Sequence, residues 1–597
     1  MISEINKFTS IVISILLLSL CSLGSLDNRI WEECKSSDLF FCDSRSFSGF
    51  SYDLDNNIGT ESLNVQVTKQ KNRYNRNIAE GNLIYSTRYE EVGFRFEEWG
   101  NYYAIDFLGD NYLAGYSYNS SISENDTIFL AKDCLGEILK NENIAYTINK
   151  NLPLNLEENY SIELNDINDS QGQVIIRLLK NGYIQDQKTL NFNDASGISC
   201  IFTHYFDGEN APFIILHMTA PLGDESLASI TIDAVFQISD RLVSLRDDFR
   251  LTKNIELTSS KNRIVLKNNN SIKLNKGSVI PLFRNIGLKV ADSDKLEFMP
   301  VQIEPIIYRS VPIIPSQAIT YILTPSNFEG FYYDIDNDLG KEQMNFSISE
   351  GNLLLEPNGI IYSTSTQLKR FNFTDWGYFN IIGFLGKEYF ASYAFDENIT
   401  PENQILYNLS LDKNSLADDQ LQRILIDDDR EITIGSVVPL EDGYELRIRS
   451  IDAKENKAFV ELYNDGHLED TKVISPSIGN ANMSEKTYYY RKTIGNQKDL
   501  VIIGVHFIKA FRGTDSNQAI IDGIWQISED ATDVKTDTKY GKMRVASVTD
   551  DEIKMDNKDN TIKLDKDKNL DLMGGISIET ADAEELRFII TKEKSSC

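Results

Sequence analysis

The sequence predicts an all-β protein: a tandem duplication in which each unit is two β-sandwich domains joined by short linkers. Three observations predict it. The first is a collinear internal repeat. Phe47, Gly49, Phe50, Tyr52, Asp53, Asp55, Asn56, Gly59 and Glu61 recur as Phe328, Gly330, Phe331, Tyr333, Asp334, Asp336, Asn337, Gly340 and Glu342. Downstream, "IYSTRYEEVGFRFEEWGNYYAIDFLGDNYLAGY" answers "IYSTSTQLKRFNFTDWGYFNIIGFLGKEYFASY", and "ITIDAVFQISD" answers "AIIDGIWQISE". The second is turn chemistry. Asn181-Gly182 and Asp465-Gly466 sit at equivalent points between strand-like runs, and such pairs supply the positive φ of a two-residue hairpin. The third is composition. The chain holds 28 Tyr and 30 Phe, with 41% hydrophobic residues overall, and runs such as "YELRIRSI" alternate as half-buried strands do.

Taken in order, the 597 residues divide as follows. Residues 1–25 read as a secretory signal peptide, with an apolar run from Ile11 to Leu20 followed by small residues. An uncleaved anchor is the alternative; lipidation at Cys21 is disfavoured because Leu20 precedes it. Residues 26–46 form an N-terminal segment and residues 47–305 the first copy. The boundary falls near the Pro-rich stretch "PVQIEPIIYRSVPIIPSQ", Pro300 to Gln317, and residues 306–325 read as an extended linker. Residues 326–597 form the second copy. Helical periodicity is confined to short pieces, of which "SLADDQLQRIL", Ser415 to Leu425, is the best.

The net charge is −31, which argues against nucleic acid or anionic lipid as partners. Cysteine usage is sparse and lacks zinc spacing. In an exported chain, Cys34 with Cys42 and Cys134 with Cys200 are candidate disulfides. Asn-x-Ser/Thr sequons occur at Asn119, Asn125, Asn159, Asn168, Asn269, Asn345, Asn372, Asn398, Asn408 and Asn482, which fits a glycosylated outer surface.

The alternating Asp53, Asp55 and Asn57 invite comparison with a calcium loop. An EF-hand wants Gly at the sixth position and a bidentate Glu at the twelfth. Here Gly59 is seventh from Asp53 and Asn64 is twelfth. A strand ending in an Asx-rich turn closed by Gly59 explains the pattern better. The run Asp427-Asp428-Asp429 answers Asn141-Glu142-Asn143 in the first copy, so it reads as a solvated turn. No catalytic site is expected. His217 and His506, equivalent within apolar strands, read as hydrogen-bonded core residues among only 4 histidines. Nucleophile-elbow, zinc-protease and phosphate-loop motifs do not occur. Trp99 and Trp376, each before a glycine, are core fillers or, alternatively, sugar-stacking platforms.

The repeated Gly-x-x-Tyr-Asp-x-Asp-Asn…Gly-x-Glu element, the IYST…Trp-Gly…Phe-Leu-Gly block, and "FRGTDSNQAIIDGIWQISED" followed by "KYGKMRVASV" carry a resemblance. It is to the surface-layer duplication domain of Methanosarcina-type archaea, and it covers nearly all of the mature chain. The resemblance implies a non-enzymatic subunit of a glycosylated, porous S-layer on the cell exterior. It implies self-association or co-assembly with related subunits and no cofactor; the strong negative charge, which opposes close packing, adds divalent cations such as calcium at lattice contacts as an expectation. One departure is the terminus "LRFIITKEKSSC", where the resemblance would place a charged stalk and a membrane helix; no C-terminal span is expected here. A secreted adhesin or glycan-binding protein built of the same domains is the alternative.

Overall fold

The computed structural model of the chain describes residues 29–594. It leaves out residues 33–38, 68, 71–72, 119–121, 123–126, 169–171, 193–196, 207, 220–228, 247, 250–253, 316–319, 349–353, 401–403, 408–415, 417, 453–456, 477–481 and 513–516. The signal peptide expected over residues 1–25 lies outside the described residues. The chain divides into two compact units, Met1–Pro305 and Ile306–Cys597. Each is almost entirely antiparallel β. Among the described residues no helix is long and apolar enough to cross a membrane.

The first unit has two hydrophobic cores. One lies beneath a five-stranded sheet, Leu39–Asp43, Ser62–Gln66, Leu83–Arg88, Arg263–Asn268 and Ile255–Ser260 in spatial order, and a four-stranded sheet formed by Trp31–Glu32, Glu297–Gln302, Ile286–Val290 and Val279–Phe283. The other lies between a nine-stranded sheet and the four strands Leu154–Asn155, Tyr160–Asn168, Gln173–Lys180 and Tyr183–Asn191. Two strands of the large sheet serve both cores. On Asn101–Phe107, Tyr102 and Ala104 enter one core while Ile105 and Phe107 enter the other. Successive side chains of a strand point to opposite faces, so a strand covered on both sides is apolar on both, apart from a hydrogen-bonded polar residue such as Asp106. That requirement is why "YYAIDFL" shows no alternation of polarity.

The second unit repeats the plan. Phe379 and Ile381 enter one core, and Ile382 and Phe384 enter the other. The Asn181-Gly182 and Asp465-Gly466 turns occupy equivalent hairpin tips, with φ of 53° and 80° in the first and 47° and 81° in the second. Lys180 faces Tyr183 and Asn464 faces His467 across them.

Two sequence expectations are corrected, and the N-terminal segment acquires strands. Residues 306–325 are not a free linker. Ile307 to Arg309 pair with Glu593 to Thr591, Ile313 bridges Phe588 and is fully buried, and Thr320–Leu323 pairs with Gln343–Ser347. Residues 26–46 likewise contribute strands of the first unit, where Trp31 faces Phe298 and Leu39–Asp43 pairs with Ser62–Gln66. Trp31 and Ile313 thus fill the same slot, opposite the equivalent Phe298 and Phe588. Finally, Ser415 to Leu425 carries helical periodicity, but from Gln420 it is a strand, Gln420–Asp428, while Ser415 and Ala417 lie outside the described residues. That segment pairs with both Lys387–Ala394 and Asn517–Asp533, and two ladders of hydrogen bonds outweigh a weak local helical preference.

Candidate functional site: a buried carboxylate where the repeated motifs meet

The residues shared by the two copies converge on one point in each unit. Glu61, which ends the Gly-x-Glu element, is 1% exposed. Its Oε1 accepts hydrogen bonds from the Tyr85 hydroxyl at 2.7 Å and the Gly109 backbone N–H at 3.0 Å, and its Oε2 accepts the Ser51 N–H at 2.7 Å. Tyr85 is the tyrosine of IYST, and Gly109 the glycine of Phe-Leu-Gly. The Tyr85 oxygen in turn accepts the Leu108 N–H at 3.0 Å. In the second unit Glu342, also 1% exposed, accepts from the Tyr362 hydroxyl at 2.7 Å, from Gly386 N–H at 2.8 Å and from Tyr332 N–H at 2.6 Å. Leu385 N–H donates to Tyr362 at 3.1 Å.

The turn holding this glycine is demanding. Leu108 and Gly109 both have positive φ, 54° and 91°, as do Leu385 and Gly386 at 51° and 75°. A Cβ on Gly109 would come within 2.8 Å of the Gly49 carbonyl oxygen, and one on Gly386 would collide with the Gly330 carbonyl. The glycine of the opening motif and that of the Phe-Leu-Gly turn are therefore two sides of one close approach. A carboxylate so enclosed and so fully hydrogen-bonded can fasten three chain segments together; it offers no face to a substrate.

Electrostatics separate the two copies. Burial, reinforced by the neighbouring Asp106 carboxylate, pushes the Glu61 carboxyl up to about 8. Burial also raises Asp106, which accepts from the Thr60 N–H at 3.0 Å and the Asn111 amide at 2.8 Å. In the second unit Gly383 replaces Asp106, and a Cβ there would lie 3.2 Å from Glu342 Oε2. Burial again raises Glu342, but the Lys592 ammonium acts in the opposite direction. Lys592 donates to the Leu385 carbonyl, and burial pulls it down to about 8.

The residues singled out in the sequence fall elsewhere. Trp99 and Trp376 are buried at equivalent core sites, 1% and 4% exposed, so neither offers a sugar platform. The Trp99 indole N–H donates to Ser199 Oγ at 2.8 Å. Thr487 occupies the place of Ser199, each facing the core histidine across its ladder, yet Trp376 Nε1 and Thr487 Oγ1 have no hydrogen-bond partner among the described residues. His217 Nδ1 lies 2.6 Å from Asp233 Oδ1 with its ring stacked on Phe96, and His506 pairs with Asp522 and stacks on Phe373. Both are hydrogen-bonded core histidines.

The opening loop is an Asx turn. The Asn56 N–H and side-chain amide donate to the two Asp53 carboxylate oxygens at 3.0 and 2.8 Å, and Asp334 is bridged by Asn337 in the same way. The left-handed residues are Asn57 and Asp338. Gly59 answers a steric need, since a Cβ there would collide with the Ser44 side chain. No group of three or more His, Cys, Asp and Glu side chains that could hold a metal occurs among the described residues.

The acidic run needs correction. Asp428 is held by Arg430 at 2.6 Å and Asp429 is exposed, but Asp427 is not solvated. Burial raises its carboxyl to about 6, where it accepts the Asn372 N–H at 3.1 Å.

Among the sequons, Asn119, Asn125 and Asn408 lie outside the described residues, and only the backbone of Asn168 is described. Asn159, Asn372, Asn398 and Asn482 are exposed, whereas Asn269 and Asn345 are half-buried. The Asn372 amide donates to the Asp427 carbonyl at 2.6 Å. Asn482 caps a short helix, Met483–Lys486.

Cys34 lies outside the described residues. Cys42 is a thiol buried in a core, and burial raises its pKa. The Cys134–Cys200 pairing is incompatible with the sheet register. Cys200 faces Leu216, Leu216 faces Val235, and Val235 faces Glu142. Glu142 and Cys134 are opposite ends of one strand, so the two sulfurs are separated by roughly 25 Å along the strand direction, far beyond disulfide reach.

The Glu–Tyr–Gly clamp escaped sequence reasoning although each member stood in a repeated motif. The available signal was a glutamate recurring inside otherwise apolar, strand-like surroundings.

Comparison with known proteins places this architecture. The chain is 24% identical over 565 residues to the Major S-layer protein of Methanosarcina barkeri, covering 92% of this chain and 78% of the relative. It is 23% identical over 593 residues to that of Methanosarcina mazei, covering 96% and 82%. A third relative, the Major S-layer protein of Methanosarcina acetivorans, is 23% identical over 580 residues, covering 93% and 80%. The pattern of one protein family matches residues 32–292 and again residues 314–582, one match in each structural unit. The chain belongs to the S-layer protein family.

Proposed function

We propose that this protein is a structural subunit of an extracellular surface layer, a porous acidic lattice that serves as cell-envelope scaffold and molecular sieve. The observation that carries the reading is the double family match, which spans both β-sandwich units and leaves little of the chain for another role. The buried Glu61 and Glu342 clamps fit this role, because a load-bearing unit needs its segments fastened internally. The role is mechanical and not enzymatic.

Its partners are other copies of itself or related subunits. With a net charge of −31, approaching subunits repel one another, and salt or divalent cations such as calcium at the contacts relieve that repulsion. Pores framed by such a lattice favour cations over anionic macromolecules. Negative-stain microscopy of the purified protein, with millimolar-order calcium and then with chelator, tests the proposal. Ordered sheets that dissolve on chelation are expected. Protein that stays monomeric at high concentration in both conditions would overturn the reading in favour of a secreted adhesin or glycan-binding protein.

A further inference from the structure

One hairpin differs in charge between the copies. In the first unit Ile255–Ser260 turns through Lys261 and Asn262 into Arg263–Asn268. Arg263 faces Arg88 across the ladder, and like charges directly opposite are unfavourable. Glu90 relieves only Arg88, at 2.8 Å, with the two side chains 70% and 37% exposed. Among the described residues no carboxylate pairs with the exposed Arg263 guanidinium. Beside this pair opens a pocket of about 510 Å³, whose walls carry the hydroxyls of Thr60, Ser62, Ser86 and Thr87. In a chain of net charge −31, the Arg263 guanidinium, beside the Glu90-paired Arg88 and over a hollow whose hydroxyls are bonded to one another, leaves a cationic recess suited to a carboxylate.

The second unit carries the opposite charge at the equivalent hairpin. Glu552 stands where Arg263 does and faces Ser365, the counterpart of Arg88. The turn is Thr549-Asp550-Asp551-Glu552. Thr549, Asp550 and Asp551 are exposed, and the turn is braced by the Thr549 hydroxyl donating to Asp551 at 2.8 Å and the Glu552 N–H donating to Thr549 Oγ1 at 3.1 Å. Lys554 meets Glu552 at 2.8 Å, leaving the turn net negative.

We infer that the acidic hairpin of one chain, residues 549–552, docks into the Arg88–Arg263 pocket of a second copy. The inference rests on the surface-layer reading and names one of its lateral contacts. The contact joins unlike surfaces, and a head-to-tail interface of this kind propagates into an open array, whereas a two-fold contact closes at a dimer. A duplicated chain whose copies differ in charge at one hairpin has both halves of such a joint. Like charges brought together there would be rejected strongly.

Charge exchange in the full-length chain tests it, read by sedimentation velocity and microscopy. Arg263→Glu makes both surfaces acidic; the double substitution Asp551→Lys with Glu552→Lys makes both basic. All three sites are exposed or half-buried, and unchanged thermal melting confirms that each variant folds. Each variant alone is expected to need at least about tenfold more protein to assemble than the wild type, and an equimolar mixture to regain the wild-type threshold. If each variant alone forms sheets as readily as the wild type, the contact lies elsewhere and only this inference falls. A mixture that fails to recover also overturns it. A wild-type chain that never assembles removes the surface-layer reading and this contact together.

Discussion

The two units solve the same packing problem with different electrostatics. Each buries a glutamate under a tyrosine hydroxyl and two backbone N–H groups. In the first, the charged group that acts on it is another carboxylate, Asp106; in the second it is the Lys592 ammonium. The shared part is the geometry, because the Tyr–Glu–Gly clamp and the turn beneath it admit few other residues. The charge beside the clamp has been free to change. The same division holds one strand away. Val92, 5% exposed in the first unit, is matched in the second by Lys369. That ammonium lies 2.7 Å from Glu388 and 3.4 Å from Asp334, with its side chain 15% exposed. Backbone shape is held in common, while polar decoration is particular to each copy.

The strongest way to break this comparison is at the tryptophans. Trp99→Ala and Trp376→Ala should each destabilise their own unit by about 3–5 kcal/mol in chemical denaturation. Trp→Phe sharpens it. Trp99→Phe should lose about a further 1 kcal/mol relative to Trp376→Phe, since only Trp99 has a hydrogen-bond partner to lose.

Next comes Lys369→Met. Removing the ammonium leaves Asp334 and Glu388 facing each other in a partly buried site, so the second unit should lose about 3 kcal/mol. Val92→Met at the matching position should cost less than about 1.5 kcal/mol. Equal losses would mean that the cation is not balancing those carboxylates.

A smaller effect is the pH dependence. The Glu61 carboxyl titrates near 8 when folded against an ordinary value of 4.5. Between those limits the folded unit holds a proton that the unfolded chain has released. Its stabilising contribution is thus complete below 4.5, falls as pH rises through 8, and changes by at most about 1.4 kcal/mol per pH unit. Glu61→Gln should flatten that decline in the first unit. In the second unit the raised Glu342 is opposed by Lys592, whose lowered value of about 8 makes its contribution rise with pH above 8. The slope there should be shallower, and Lys592→Met should steepen it. Calorimetric melts from pH 5 to 9.5 read both.

The smallest effect is expected at the hairpin tips. Asn181→Ala and Asp465→Ala place a Cβ-bearing residue with no compensating side chain at φ of 53° and 47°. Each should cost about 1 kcal/mol, and by the same amount, because the turn geometry is shared.

Much of this was open to sequence reasoning for a physical reason. Repetition reports geometry that both copies need, and Asn-Gly and Asp-Gly report a positive φ that few other residues accept. The strand assignment and the Asx turn at Asp53 follow from residues within a few positions of one another, where sterics and alternation act directly, and the duplication and the buried tryptophans follow from the repeat itself. The family match agrees with the repeat over both halves.

What the sequence by itself determined was the all-β duplication and the local turns that punctuate it. Tertiary structure alone decided the rest. Ser415 to Leu425 carries a helical spacing, but from Gln420 onward its backbone pairs with two neighbouring strands. Residues 306–325 looked like a connector until their edges found ladders to join. Cys134 and Cys200 were separated by a register set three strands wide. Glu61 acquired its partner Tyr85 from 24 positions along the chain and Gly109 from 48. Hydrogen-bond register and burial on both faces of a strand are properties of segments brought together from afar, and local periodicity carries no record of which segments those will be.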